Sequence, residues 1–204
     1  MTEPILQKVL ADSWGDLGSV IRRHYFLKPF SDDSVCVRGV MSEIHHSWIA
    51  KLFLPIGLLF GAVVPYRANN VPIDVHYSSC QTNANIYWDR VFKFSESHHF
   101  HFRSHMEHLQ ENEVIEFVRF GVGMRLIVTA EKGAMVFRDN GYVWRVFGKN
   151  VPIPIGLFFG RAYVEERPID ENNFSMKMTL QHPLFGVMFR YEGKFSLDEP
   201  RSNE

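Results

Sequence analysis

From Val71 onward the chain repeatedly alternates apolar and polar residues with a period of two. That period belongs to a half-buried β-strand, whose successive side chains point to opposite faces. Val71, Ile73, Val75 and Tyr77 alternate with Pro72, Asp74, His76 and Ser78. Ile86, Trp88, Arg90, Phe92 and Phe94 share one face of the next run. Phe100, Phe102, Ser104 and Met106 then alternate with His99, His101, Arg103 and His105. Two further runs close the chain, one through Phe174, Met176, Met178 and Leu180 and one through Val187, Phe189, Tyr191 and Phe195. Asp139-Asn140-Gly141 reads as the strongest hairpin turn, because Asn and Gly tolerate the positive φ that a tight turn requires. Glu131-Lys132-Gly133, Glu111-Asn112 and Glu171-Asn172-Asn173 are turns of the same kind. About nine or ten strands at this spacing predict an antiparallel sheet closed, or nearly closed, into a barrel, since an open sheet that wide tends to curl or split.

The first part of the chain differs. Residues 4–25 place Ile5, Val9, Leu17, Val20 and Ile21 at helical spacing, with Asp16 as a cap for the second segment. A third helix is expected over 47–54, capped by Ser47 and ended by Pro55. No Pro/Gly/Ser-rich linker divides the 204 residues, so residues 1–204 read as a single β-rich domain with a polar tail at 198–204.

Composition narrows the partners. Hydrophobic residues make up 46% of the chain and charged residues 22%, which excludes a disordered polymer. The 22 Lys and Arg almost balance the 23 Asp and Glu, so the net charge points to no nucleic acid and no anionic membrane. Leu52–Pro65 is the most apolar stretch; it is too short to span a bilayer and is interrupted by Pro55, Gly57 and Gly61. The N-terminus has no basic region followed by an apolar stretch, and Cys36 and Cys80 lack metal or redox spacing. A cytoplasmic protein with two reduced thiols is expected.

Pro55-Ile56-Gly57-Leu58-Leu59-Phe60-Gly61 returns 99 residues later as Pro154-Ile155-Gly156-Leu157-Phe158-Phe159-Gly160. The echo is open to two readings, a duplicated half-barrel or independent apolar matches. Either way, both segments are expected to be connections packed against the sheet.

A wider pattern carries a family resemblance over residues 20–196. It runs through Arg23-His24, Gly39, Ala50-Lys51-Leu52-Phe53, Val71-Pro72-Ile73 and Trp88-Asp89-Arg90-Val91-Phe92. It continues through Val151-Pro152-Ile153-Pro154, Pro183-Leu184-Phe185-Gly186 and Tyr191-Glu192-Gly193. The chain resembles an uncharacterised bacterial domain family, a domain of unknown function found alone or fused behind saccharopine-dehydrogenase-like chains. The resemblance implies a stand-alone version here and implies no activity.

Two constellations could carry chemistry. Five histidines fall between His98 and His108, and His99, His101 and His105 share a strand face, as an H-x-H metal site requires. Arg103 on the same face and the apolar row opposite favour a solvated histidine face instead. Arg90 sits within an aromatic row and must pair with a carboxylate, reach water or anchor an anionic ligand headgroup. Glu165-Glu166 reads as solvated charge. No G-x-S-x-G elbow, dinucleotide fingerprint or P-loop is present, so no catalytic residue and no cofactor is assigned.

The expectation is a non-enzymatic barrel holding an apolar or amphipathic small molecule, such as a lipid, against Trp88, Arg90, Phe92, Phe102, Ser104, Trp144 and Tyr191. The alternatives are a metal-dependent enzyme built on the His98–His108 cluster and an interaction module beside an oxidoreductase or membrane partner.

Overall fold

The alternating runs become one antiparallel sheet in the computed structural model, which describes residues 3–197; the polar tail lies outside these residues. The strands are β1 (Ser34–His46), β2 (Val71–Cys80), β3 (Asn83–Lys93), β4 (His99–Gln110), β5 (Glu113–Phe117), β6 (Val122–Glu131), β7 (Ala134–Val146), β8 (Lys149–Ile153), β9 (Arg161–Pro168), β10 (Asn173–His182) and β11 (Gly186–Leu197). Eleven strands lie in the order β6-β5-β4-β3-β2-β1-β11-β10-β9-β7-β8, and β6 also pairs with β7. That last pairing closes a barrel from every strand except β8, as the sequence predicts. No helix of the described residues is long and apolar enough to cross a membrane.

Asp139-Asn140-Gly141 is not a turn. It lies inside β7, where Gly141 takes φ +103° and donates its N–H to the Asp139 carboxylate. The register against β6 slips at this point, between Met124 and Leu126. A bulge bends a strand and re-aims it. Before the bulge, Met135–Arg138 pair with β9; after it, Tyr142–Val146 pair with β8. The Asn-Gly pair signals a positive φ, which a bulge exploits as readily as a hairpin does. The neighbouring hairpin turns are Lys132-Gly133 and Phe147-Gly148, each with both residues at positive φ.

One end of the barrel is plugged. α1 (Ile5–Leu10), a 3₁₀ turn (Ala11–Asp16) and α2 (Ser19–His24) lie there, with Leu6, Val20 and Ile21 fully buried. Asp16 ends the 3₁₀ turn and does not cap α2. Gly18 occupies the junction instead, donating to the Gly133 carbonyl at 2.9 Å and lying against Pro168, where any side chain would collide. Arg23 fastens α2 to the β9–β10 connection through the Glu171 carbonyl (3.1 Å) and Asn172 Oδ1 (2.9 Å).

The opposite end carries the two echoed segments. Ser47 Oγ accepts the Ala50 N–H at 3.1 Å, opening a 3₁₀ turn over Ala50–Leu52. α3 (Leu54–Leu59) follows, and Pro55 sits in its first turn rather than ending the preceding helix. A proline lacks only an N–H that the first turn leaves unbonded anyway. α4 (Gly156–Phe159) is the second copy. Each copy ends on a glycine in left-handed backbone, Gly61 at φ +65° and Gly160 at φ +85°. The repeated heptad thus encodes a proline entry, a short apolar helix and a glycine exit. The copies meet through Phe53, whose ring lies 6.1 Å from Phe158 and 5.3 Å from Phe159.

Outside the barrel, arginines hold carboxylates across the strands. Glu131 accepts from Arg138 and from Thr129, which together lower its pKa from 4.5 to about 2. Burial works against the charge of Glu113, but hydrogen bonds from Arg125 and Asn140 outweigh it and keep its pKa below the usual value. Arg145 does the same for Glu107 and Arg190 for Glu43. These groups have folded pKa values below their unfolded ones, so their contribution is present above the ordinary carboxylate pKa and is lost as pH falls through the lowered values. The melting temperature should therefore hold between neutrality and about pH 5, then decline toward about pH 2. Glu131→Gln should flatten the lowest part of that decline in a thermal-melt series against pH. Gly160→Ala should lower stability by at least about 1–3 kcal/mol in urea melts, because its φ/ψ belongs essentially to glycine and a Cβ there meets the Gln181 backbone.

Candidate functional site

The inward faces of the strands do not meet. They leave a cavity of about 470 Å³ running from the plugged end to the echoed helices. Ile73 and Val75 of β2, Leu126 of β6, Phe137 of β7, and Phe174, Met176 and Met178 of β10 form its apolar wall. At the plugged end it reaches Tyr25, Tyr77 and Glu166. At the other end Ile56 and Phe158 line it while more than half exposed, so the cavity opens between α3 and α4. The bulge in β7 contributes to this opening. Beyond it β7 turns to β8, and Tyr142 and Ile155 line the wall where β7 and β9 part.

The polar groups of the wall are tied together. Arg90 lies between the rings of Trp88 (4.4 Å) and Phe102 (5.0 Å) and donates to Ser104 Oγ at 2.9 Å and Glu116 Oε1 at 3.0 Å. Ser104 donates in turn to the same Glu116 oxygen at 2.6 Å. Of the alternatives open to Arg90, the internal ion pair is present, and Glu116 is the partner that β5 supplies. Deeper in, Tyr25 donates to Glu166 Oε1 and His24 Nε2 meets Glu166 Oε2, each at 3.1 Å. His24 Nδ1 donates to the Val20 carbonyl at 3.0 Å, which fixes the ring against α2. Burial, reinforced by the Glu166 charge, raises the Tyr25 and Tyr77 pKa values well above the ordinary range; burial does the same for Tyr142 and Tyr191. These phenols stay protonated; Tyr25 donates to Glu166, whereas the Tyr191 hydroxyl accepts the Val64 N–H at 3.2 Å. Trp88 Nε1 is buried and has no hydrogen-bond partner among the described residues. A buried donor left unmet costs free energy that an acceptor on a bound molecule would recover.

Five of the seven residues expected to contact a ligand line the cavity: Trp88, Arg90, Phe92, Phe102 and Tyr191. Ser104 lies behind Arg90 as its hydrogen-bond partner. Trp144 is not in the wall. It follows the bulge on β7, is half-exposed, and donates its indole N–H to the Phe120 carbonyl at 2.9 Å. The expected histidine face is the outer one. His101 and Arg103 both bind Asp89, and His105 stacks between Tyr87 (5.5 Å) and Phe117 (5.4 Å). Among the described residues no three His, Cys, Asp or Glu side chains converge as a metal set, so His99, His101 and His105 do not assemble the metal site kept as the alternative.

Sequence reasoning missed Glu116 and Glu166. Glu116 belongs to a strand buried on both faces, since Ile115 and Phe117 pack outward with Val143 while Val114 joins the main core. The period-two signal vanishes there. Of the pair read as solvated charge, only Glu165 faces outward, bound to Arg167 and Tyr163; Glu166 points in.

Fold and site together define a class: a closed antiparallel β-barrel, plugged at one end, with an apolar chamber opening at the other. Within that class the chain belongs to the DUF4166 family, a domain of unknown function, and the match covers residues 17–195. It is 23% identical over 171 residues to the uncharacterized protein YndH of Bacillus subtilis (strain 168), covering 80% of this chain and 83% of that one. Among solved structures, the S-type phycobiliprotein lyase CPES from Guillardia theta covers 84% of this chain and 90% of its own, at 10% identity and a TM-score of 0.35. At that distance it says nothing of this chain's ligand.

Glu116→Ala should destabilise the fold by about 1–3 kcal/mol, because it strands Arg90 and Ser104 without their acceptor. Removing both charges, as Arg90→Met with Glu116→Leu, should restore most of that loss in urea denaturation.

Proposed function

We propose that this protein binds an apolar or amphipathic small molecule of lipid-like chemistry inside the barrel and holds it without converting it. The observation that carries this reading is the chamber: about 470 Å³, walled by aliphatic and aromatic side chains, with a few polar groups at fixed depth. Cavities of roughly 300–1,000 Å³ with that composition accommodate small organic ligands. The apolar wall favours a hydrocarbon body. The unmet Trp88 Nε1 and the neighbouring Arg90 favour an acceptor or anionic group beside β3. A holding role fits the polar groups themselves, since Arg90, Ser104 and Glu116 satisfy one another, as do His24, Tyr25 and Glu166. A cytoplasmic location belongs to the same reading and suits Cys36 and Cys80 as thiols not joined by a disulfide.

The test is native mass spectrometry of protein purified from cells without detergent, followed by refilling of the delipidated protein with a fluorescent fatty acid. One bound molecule per chain is expected, and refilling should quench Trp88 emission. Val75→Phe, which places a ring in the chamber, should weaken the probe at least about tenfold while leaving the fold intact. Protein that carries nothing from cells and takes up no probe would exclude the reading.

A further inference from the structure

The open end of the barrel differs from the rest of the surface in both polarity and charge. Its connections expose large apolar side chains that a water-facing rim does not need. Phe147 is 101% exposed, Leu184 82% and Trp48 72%, and Leu52, Leu59 and Leu157 are likewise exposed. These connections touch one another. Phe60 accepts a backbone hydrogen bond from Arg119 and its ring meets Phe120; Phe120 accepts from Trp144; Phe53 meets Phe158; and His182 donates to the Leu157 carbonyl. These contacts tie the connections into one end of the barrel around the cavity mouth, and the exposed apolar residues lie on those connections. Exposed apolar surface gathered in this way marks an interaction site.

Charge identifies the partner. Residues 47–70, 118–121, 147–160 and 183–185 make up four of the five connections at this end, and they contain no Asp or Glu. They carry Lys51, Arg67, Arg119 and Lys149, with Arg161 at the start of β9, all exposed. The fifth connection, 94–98, holds Glu96. The plugged end is mixed but net acidic: Glu3, Asp12, Asp16, Asp32, Asp33, Glu111, Asp170 and Glu171 outnumber Lys8, Arg22, Arg23, Lys28 and Lys132. The net charge of −1 therefore conceals a basic mouth and a net acidic plugged end.

We propose that the mouth of the barrel docks on an anionic lipid bilayer, with its apolar side chains in the headgroup region and the basic rim against lipid phosphates. Such a surface needs a shallow apolar face, aromatic residues at the interface and Lys/Arg around them. The β7–β8 tip, Phe147-Gly148-Lys149, presents a fully exposed ring next to a cation. A second copy of the chain fits poorly, because a two-fold contact through this face sets basic rim against basic rim. Docking here faces the chamber toward the membrane, and this goes beyond ligand holding without depending on it.

The experiment is co-sedimentation of the full chain with vesicles of phosphatidylglycerol and phosphatidylcholine, against vesicles of phosphatidylcholine alone. Binding to the anionic vesicles, a blue shift of tryptophan emission and loss of binding in high salt are expected. Phe147→Ser combined with Lys149→Glu should weaken vesicle binding by roughly tenfold or more, and Leu157→Ser should weaken it less. All three positions are exposed, so the fold should survive, as circular dichroism would verify. Lys132→Glu at the plugged end should change nothing. Val75→Phe should still sediment, which separates failure of docking from failure of ligand binding. Folded protein that ignores anionic vesicles, binds both vesicle types equally, binds equally well with the Phe147 and Lys149 substitutions, or only self-associates would overturn the proposal.

Discussion

Closure of the sheet through β6 and β7 is the constraint on which the rest of this protein depends. A sheet this wide has two edges of unpaired backbone groups, and joining them removes both. Closing it fixes a circumference, and barrel diameter grows with strand number. Eight strands are just filled by their own side chains; the strands here enclose more than that, even with rings from Phe137, Phe174 and Phe195 inside. The chamber is a geometric consequence of closure, and the N-terminal helices stop it from running through the molecule.

The bulge at Asp139–Gly141 gives the chamber its entrance. A straight β7 would pair with β9 along its whole length and leave β8 without a partner. By bending, β7 serves β9 at one end and β8 at the other, and the seam between β7 and β9 parts beside α4. The echoed heptads lie over that opening. Their likeness has a local cause in proline entry, apolar turn and glycine exit, and it places two similar short helices on opposite sides of one mouth. That arrangement suits either origin of the echo.

The residues that carry the family resemblance are mostly parts of this frame. Arg23 pins α2, His24 braces Glu166 and Trp88 and Arg90 face the chamber, while Asp89 between them holds His101 and Arg103 outside. The Pro183–Gly186 turn is held by His182 Nδ1, which accepts the Leu184 and Phe185 N–H groups. A motif of this kind marks a shape, which is why it could be recognised without implying a reaction.

Alternation along the chain determined β2, β3, β4, β10 and β11 with their inward faces, and their number and spacing pointed to a closed antiparallel sheet, because a period of two is a property of each strand alone. It also placed Trp88, Arg90, Phe92, Phe102 and Tyr191 inside and the histidines outside. It failed where neighbours decide. Val114 and Ile115 of β5 are both buried because an outer cluster covers one face and the core the other, and Asn140-Gly141 became a bulge because β7 has two partners to satisfy. The partners of Arg90 and Tyr25, the exile of Trp144 and the basic apolar rim come from residues far apart in the chain. Net charge and local spacing sum over the whole sequence, whereas only the closed barrel sorts its connections between two ends.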